Sequence, residues 1–334
     1  MDSQPEVRFA RTADGVTIGY QVFGQGPPLV WMPSLSNIVA QWRIPALRAA
    51  YLGLSQRMTV VLYDSRGTGT SDRRIDLDDL GVDAHLRDLH AVLDTAGLTQ
   101  ASLLGFYHSV TTAIAFAARA PERVERLVLF GGTPRLREAM LPAQTQALLS
   151  LIDQDWGLFA DAAATAWLGW DSAASGRWTA EAFRTATTAP VAKAWFEAAG
   201  RIDVTGEVAA VRAPALILHR QGEQRIPVEA SRRLAQALPD ARLVELPGST
   251  PTLFIENLVA DFVTGGRVGR PVSGAGSLTP REHEVLRRLA AGDSNTEIAR
   301  RLGIAVHTVE RHLSAIYRKL GARGRSDAVR LTLG

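Results

Sequence analysis

Short runs rich in β-branched and aromatic residues alternate with amphipathic stretches along most of this chain, and the alternation dictates its architecture. VTIGYQVFG (16–24), PLVWMPS (28–34), MTVVLYD (58–64), ASLLGF (101–106), RVERLVLFGG (123–132), ALILHR (215–220) and ARLVELPG (241–248) read as strands. DAHLRDLHAVLDTAG, VTTAIAFAARA and VEASRRLAQALPD read as helices between them. Strand-helix alternation of this kind predicts an α/β fold, a doubly wound and mostly parallel sheet covered by helices on both faces.

Two stretches break the pattern. Between Pro134 and Val204 the sequence is helical in period and holds Trp156, Trp167, Trp170, Trp178 and Trp195, five of the chain's seven tryptophans. A helical insertion after a strand is expected to form a lid over the carboxyl ends of the strands, where such sheets bind ligands. Most of these tryptophans are expected to pack the lid down, and at least one to line a pocket. The second break, TGGRVGRPVSGAGS (264–277), is dense in Gly, Pro and Ser and offers no core anchor, so it reads as a linker. The expected organisation is a body over 1–264 with its lid at about 134–204, a linker over 265–277, and a small all-α domain over 278–334.

The charge follows this division. From Leu278 onward there are 11 Arg/Lys against 6 Asp/Glu, while the rest of the chain carries 26 against 28. A basic tail on a nearly neutral body points to an acidic polymer as the tail's partner. The chain has no cysteine, which excludes disulfides, thiolate-held zinc and a cysteine nucleophile. The start is polar, without an apolar signal region, and no apolar run approaches the ~20 residues of a membrane span. No membrane partner is expected, and the expected location is the cytoplasm. His85 and His90 stand five apart on one helix, ~140° apart around it, so they are expected to pack or face solvent rather than form a metal pair. No metal site and no cofactor are expected.

In LLGFYHSVTT (103–112), a strand ends in Gly-x-Tyr-x-Ser and turns into a helix. Together with LYDSRGTGTSDR (62–73) and the run from Asp88 to Gly132, this stretch resembles the α/β-hydrolase family over the first ~260 residues. The resemblance implies a nucleophile elbow of the Gly-x-Ser-x-Gly kind, in which small flanking residues let the helix approach the strand. Gly105 and Ser109 match the flanking positions, and Tyr107 stands at the nucleophile position. The family's acid maps to Glu223 in GEQRIP, and its histidine to Pro251 in LPGSTP. The seven histidines are His85, His90, His108, His219, His283, His307 and His312, so none lies between Glu223 and the linker. A phenol titrates near pH 10 and is a weak nucleophile without a base, and Ser109 as a shifted nucleophile would have Tyr107 and Thr111 as its flanks. A chain without catalytic residues is therefore expected, not an enzyme, with a pocket lined by Ser34, Leu35, Tyr107, His108, Trp156, Trp167 and Trp170. The expected ligand is an apolar or carbonyl-bearing small molecule, the carbonyl held by the His108 N–H. An enzyme that turns over its own signal, and a body serving only dimerisation or protein contact, are the alternatives.

The tail opens with Thr279-Pro-Arg-Glu282 and continues with Ser294-Asn-Thr-Glu297, two capping-box sequences. RLGIAV supplies a tight turn, and Val309, Leu313, Ile316 and Leu320 then recur at 4-3-4 spacing as the buried stripe of a helix. The opposite face carries His307, Arg311, Ser314 and Arg318. An apolar back with a basic front is the pattern of a recognition helix for the major groove. The stretch LTPREHEVLRRLAAGDSNTEIARRLGIAVHTVERHLSAIYRKLGA resembles the LuxR-type DNA-binding domain, a four-helix form of the helix-turn-helix. The resemblance implies base contacts from Glu310, Arg311 and Ser314, and phosphate contacts near Asn295, Thr296, Thr308 and Lys319. Two positions depart from it: a carboxylate at Glu310, and Ala305 where a serine commonly caps the helix. The implied protein is a transcription regulator with double-stranded DNA, a second copy of itself and RNA polymerase as partners.

Overall fold

A computed structural model of the chain describes residues 4–135, 137–140, 143–168, 173–223, 226–246, 256–265, 280–290, 293–320, 324–325 and 328. The chain divides into two compact units, Met1–Val268 and Gly269–Gly334, and the division falls within the stretch read as a linker.

In the first unit the described strands form one sheet. They are β1 (Arg8–Arg11), β2 (Thr17–Gly24), β3 (Pro28–Trp31), β4 (Thr59–Tyr63), β5 (Ala101–Phe106), β6 (Val124–Phe130), β7 (Ala215–Arg220) and β8 (Ala241–Leu246), in the order β1-β2-β4-β3-β5-β6-β7-β8. β1–β2 and β2–β4 pair antiparallel, and every pair from β4–β3 onward is parallel. The central strand β5 is buried along Ala101–Gly105, which is why ASLLGF reads as an unbroken apolar run rather than an alternation. β1 was not legible as a strand. Of its four residues only Ala10 is buried, and it is held by its backbone ladder to β2 at the sheet edge.

Helices cover both faces. Between β3 and β4 run α1 (Ile38–Gln41), whose N-terminus is capped by the Asn37 side chain, and α2 (Pro45–Ser55). α3 (Val82–Thr95) and α4 (Val110–Arg119) flank β5. The insertion after β6 comprises α5 (Arg137–Met140), α6 (Ala143–Gln154), α7 (Trp156–Leu168), α8 (Ala173–Ala186) and α9 (Ala189–Arg201), and α10 (Val228–Ala237) and α11 (Glu256–Val263) complete the unit. One core lies beneath α3 and α4, with Leu89, Val92, Ile114 and Phe116 against Leu103 and Leu129. The other lies beneath α2 and α11, with Tyr51, Leu54 and Val259 against Leu104, Val128 and Phe130. The insertion has its own core, in which Ile152, Phe159, Trp195 and Phe196 pack with Leu35 and Leu80. Its two ends are clasped together: Arg135 and Asp203 form an isolated bridge and an ion pair at 2.8 Å, and the Val204 N–H donates to the Pro134 carbonyl at 2.9 Å. That clasp brings the two ends of the helical insertion together, so β6 and β7 stay neighbours in the sheet.

The second unit contains α12 (Pro280–Ala290), α13 (Asn295–Leu302) and α14 (Val306–Leu320) around Val285, Leu289, Ile298, Val309, Leu313 and Ile316. Ser294 caps α13 in a reciprocal box with Glu297, and Gly303 at φ +63° ends it in the left-handed conformation. Thr279, the start of the other expected box, and most residues of the expected fourth helix lie outside the described residues.

Candidate functional site

The elbow is built. β5 ends at Phe106, and Tyr107 turns the chain with φ +48°, the one non-glycine residue with positive φ among the described residues. For an L-residue that conformation costs roughly 1–2 kcal/mol, and neighbouring groups hold it in place. The Phe106 N–H donates to Ser109 Oγ at 2.9 Å, fastening both sides of the turn. Gly105 lets α4 approach: a Cβ there would stand 3.1 Å from the Val110 Cα. The Tyr107 ring lies against the backbone of Gly131, where a Cβ would come within 2.7 Å of its Cε1, and edge-on to Phe106 and Phe130 at 4.8 and 5.8 Å.

The phenol O–H of Tyr107 donates to Glu223 Oε2 at 2.6 Å. The positions that correspond to nucleophile and acid thus meet directly. β5 and β7 are parallel with only β6 between them, so their carboxyl ends lie roughly 10 Å apart on one edge. A tyrosine from one and a glutamate from the other can span that gap. Two long side chains on alternate parallel strands were the available signal for this bond, and sequence reasoning did not draw it. Pro251 lies outside the described residues.

Beside the turn is a cavity of about 20 Å³, bordered by Met32, Ser65, His85, His108, Thr111 and Trp195. That is room for about one water. Of the residues expected to line a ligand pocket, His108 borders it, and its ring meets Trp195 of the lid at 5.3 Å. Leu35 instead packs into the lid core, Trp156 stacks flat on Phe159 at 5.2 Å, and Ser34 and Tyr107 do not border the cavity. The Trp167 side chain and Trp170 lie outside the described residues. His90 packs on Phe116 at 4.7 Å, and burial lowers its pKa. Among the described residues no group of three or more His, Cys, Asp or Glu side chains could hold a metal.

The loop after β4 flanks the elbow and is anchored by two buried charges. Asp64 Oδ1 accepts from the Ser36 hydroxyl and the Ile38 N–H, both at 3.0 Å; Oδ2 accepts from the Thr70 N–H at 2.7 Å and its hydroxyl at 2.9 Å. Burial pushes the Asp64 carboxyl up to about 6, against the pull of these donors. Arg66 bonds to Asp88, Asp14 and Asp79, and its guanidinium holds Asp14 well below the usual carboxylate range. Together they fix the loop from Ser65 to Asp72 against β2 and α3.

In the second unit, α14 buries Val309, Leu313 and Ile316 and exposes His307, Glu310, Arg311 and Ser314. Arg311 has no ion pair among the described residues, and the Ser314 hydroxyl is turned back to the Glu310 carbonyl at 2.9 Å. Thr296 is exposed and Thr308 half-buried at the starts of α13 and α14. Asn295 is half-buried and accepts from Arg325 at 3.2 Å. The Arg318 and Lys319 side chains lie outside the described residues.

A mostly parallel sheet with an elbow at β5, joined to a helix-turn-helix, defines a hydrolase-fold body carrying a DNA-reading tail. Residues 27–170 match the family described as alpha/beta hydrolase fold, and residues 276–332 match "Bacterial regulatory proteins, luxR family". The chain belongs to the α/β-hydrolase fold family in its body and carries a LuxR-family helix-turn-helix domain. A putative carbamate hydrolase, RutD of Caulobacter sp. strain K31, is 30% identical over 197 residues, which cover 57% of this chain and 72% of that protein. The putative HTH-type regulator YhjB of Escherichia coli K12 is 48% identical over 52 residues, 16% of this chain and 26% of that one. The enol-lactonase of Burkholderia xenovorans LB400 superposes with a TM-score of 0.60 at 22% identity, over 77% of this chain and 97% of its own.

These findings correct the expectation of a non-enzyme. The relative that covers most of the body is named a hydrolase, and substitution at two positions of one site does not establish that the domain lacks activity. No helix among the described residues is long and apolar enough to cross a membrane.

Proposed function

We propose that this protein is a transcription regulator of the bacterial cytoplasm whose LuxR-type domain reads duplex DNA and whose hydrolase-fold body supplies the input. The carrying observation is α14, with an apolar back sealed into the helical core and an exposed Arg311 on its front that makes no ion pair among the described residues. A helix so mounted enters a major groove with Glu310, Arg311 and Ser314 towards base edges, while Thr308 and the start of α13 with Asn295 and Thr296 face phosphates. His307 flanks the base-reading face, and Arg318 and Lys319, later in the same helix, are the further candidate DNA contacts. The protein acts as a dimer on paired half-sites, with RNA polymerase as the machinery it influences. A small molecule or partner perceived by the body changes the spacing of the two readers. The input region is the elbow, where Tyr107 closes on Glu223 and His108 meets the lid tryptophan Trp195.

Selection from random duplexes with the full chain at physiological salt should enrich a sequence bound at least 10³-fold more tightly than random DNA. Failure to enrich any sequence rejects the reader. On the enriched duplex, Tyr107→Phe should change the dissociation constant at least threefold if the elbow feeds the reader. A folded Tyr107→Phe variant with unchanged affinity rejects the elbow as the input while leaving the reader standing.

A further inference from the structure

Away from the elbow, a groove of about 750 Å³ opens on the first unit, lined by Trp42, Arg43, Pro45, Arg48, Leu52 and Trp178. None of the elbow residues borders it. Its volume falls within the range that holds small organic ligands. Its walls are apolar in an informative way. Trp42 has already given its indole N–H to Gln21 Oε1 at 2.9 Å, so it offers the groove only hydrocarbon and ring.

The charge at the rim is less ordinary than the walls. The guanidinium of Arg43 lies over the Trp178 indole at 5.8 Å, and that of Arg177 over the same ring at 5.5 Å. Both arginines are exposed, and among the described residues neither makes an ion pair or a hydrogen bond. Elsewhere in this unit arginines find acids: Arg66 meets Asp88, Asp14 and Asp79, Arg119 meets Asp83 and Glu207, and Arg123 meets Asp94. Even Arg184, two turns further along α8 from Arg177, pairs with Asp161 and Glu181. Two like charges gathered on one indole without an acid raise the local potential and focus it into the concavity. A guanidinium can grip a carboxylate by two parallel bonds, and neither of these is engaged by an acid among the described residues.

We propose that this groove is a binding site for a small organic anion with a flat apolar body, an aryl carboxylate in its simplest form. The ring lies between Trp178 and the Pro45–Leu52 wall, and the carboxylate meets Arg43 and Arg177. This assignment goes beyond the elbow reading and stands whichever way the Tyr107→Phe test falls.

The test uses the full chain with 2-naphthoate and its neutral isostere 2-naphthamide, by calorimetry and tryptophan quenching. The acid should saturate one site per chain and bind at least tenfold more tightly than the amide. Arg43→Gln with Arg177→Gln should abolish that preference, and because both side chains are exposed the melting temperature should hold. Trp178→Phe should weaken the acid at least fivefold and remove most of the quenching. Equal binding of acid and amide, undiminished preference in the double variant, or no saturable binding up to millimolar acid would each overturn the proposal. Arg177→Gln alone repeats the measurement if the double variant is poorly folded, with a loss of at least threefold expected and no loss counting against it.

Discussion

Replacing Asp64 by asparagine leaves side-chain volume almost unchanged and turns one oxygen into an amide. Each carboxylate oxygen receives one backbone N–H and one hydroxyl: Ile38 and Ser36 on one, and the two donors of Thr70 on the other. The hydroxyls can turn and accept, but the N–H groups cannot. Whichever way the amide is flipped, a buried N–H must face an NH₂ that has no lone pair, at about 1–3 kcal/mol. A protonated aspartic acid escapes this, because its O–H oxygen keeps a lone pair for the N–H while its proton goes to the turned hydroxyl. The wild type carries a different penalty. Burial raises the Asp64 pKa to about 6, against ~3.9 when unfolded. An acid raised in the fold contributes stability that is complete below the unfolded value and lost as pH rises through the folded one. A rise of about two units makes that loss on the order of 3 kcal/mol. About 1 kcal/mol of that contribution is already gone at pH 4.5, so the substitution should destabilise there by up to about 2 kcal/mol and be neutral or stabilising at pH 8. At ~2–4 °C per kcal/mol for a unit of this size, the melting temperature at pH 4.5 should fall by up to about 8 °C. Tryptophan-monitored melts of the two proteins at both pH values make the comparison, and every group they share cancels in the difference. An equal shift at pH 4.5 and pH 8 would refute the reasoning.

Gly131→Ala should destabilise by about 2 kcal/mol or more, since it places a methyl against the Tyr107 ring at a position with φ +60°. In a Tyr107→Ser background the loss should shrink by at least 1 kcal/mol, and strict additivity in a denaturation cycle would count against the packing described. Arg311→Ala should cost about 1–3 kcal/mol on the selected duplex and relax one base pair per half-site, whereas Lys319→Ala should weaken all sequences alike and lower the salt slope by about one. His219 is buried on β7, its Nδ1 2.8 Å from Ser231 Oγ, and burial lowers its pKa. It thus contributes stability that is complete above ~6.5 and lost as pH falls through its lower folded value, so His219→Gln should flatten the fall of melting temperature between pH 6.5 and 5.

Runs such as MTVVLYD and ASLLGF gave away the parallel sheet because a strand buried on both faces has no polar side to disguise it. The tail was legible for the converse reason, since Val309, Leu313 and Ile316 recur at helical spacing and their neighbours are polar. β1 was hidden because an edge strand needs only backbone partners, and α2 because apolar and small residues run almost unbroken through PALRAAYLGLS, with Arg48 its one charge, so no polar face marks the helical period. The Tyr107–Glu223 bond joins residues 116 apart in sequence and depends on strand order, which no local pattern contains. The groove over Trp178 draws Arg43 and Trp178 from opposite sides of three strands in the sequence, and was invisible for the same reason.

The tyrosine at the elbow carries a conformational burden that a loop of ordinary residues would shed. A left-handed turn at a bulky residue relaxes unless its surroundings forbid the alternative, and here Gly131 beneath the ring, Ser109 across the turn and Glu223 at the phenol each do so. Their combined effect is to commit the phenol's single proton. Tyr107→Phe removes the bond to Glu223 and keeps the ring against Gly131, so it should cost about 1–3 kcal/mol, and Tyr107→Ser, which gives up the ring as well, should cost more. Denaturation of the two variants beside the wild type makes the comparison, and a Tyr107→Ser loss no larger than that of Tyr107→Phe would mean that the ring contributes nothing to holding the turn.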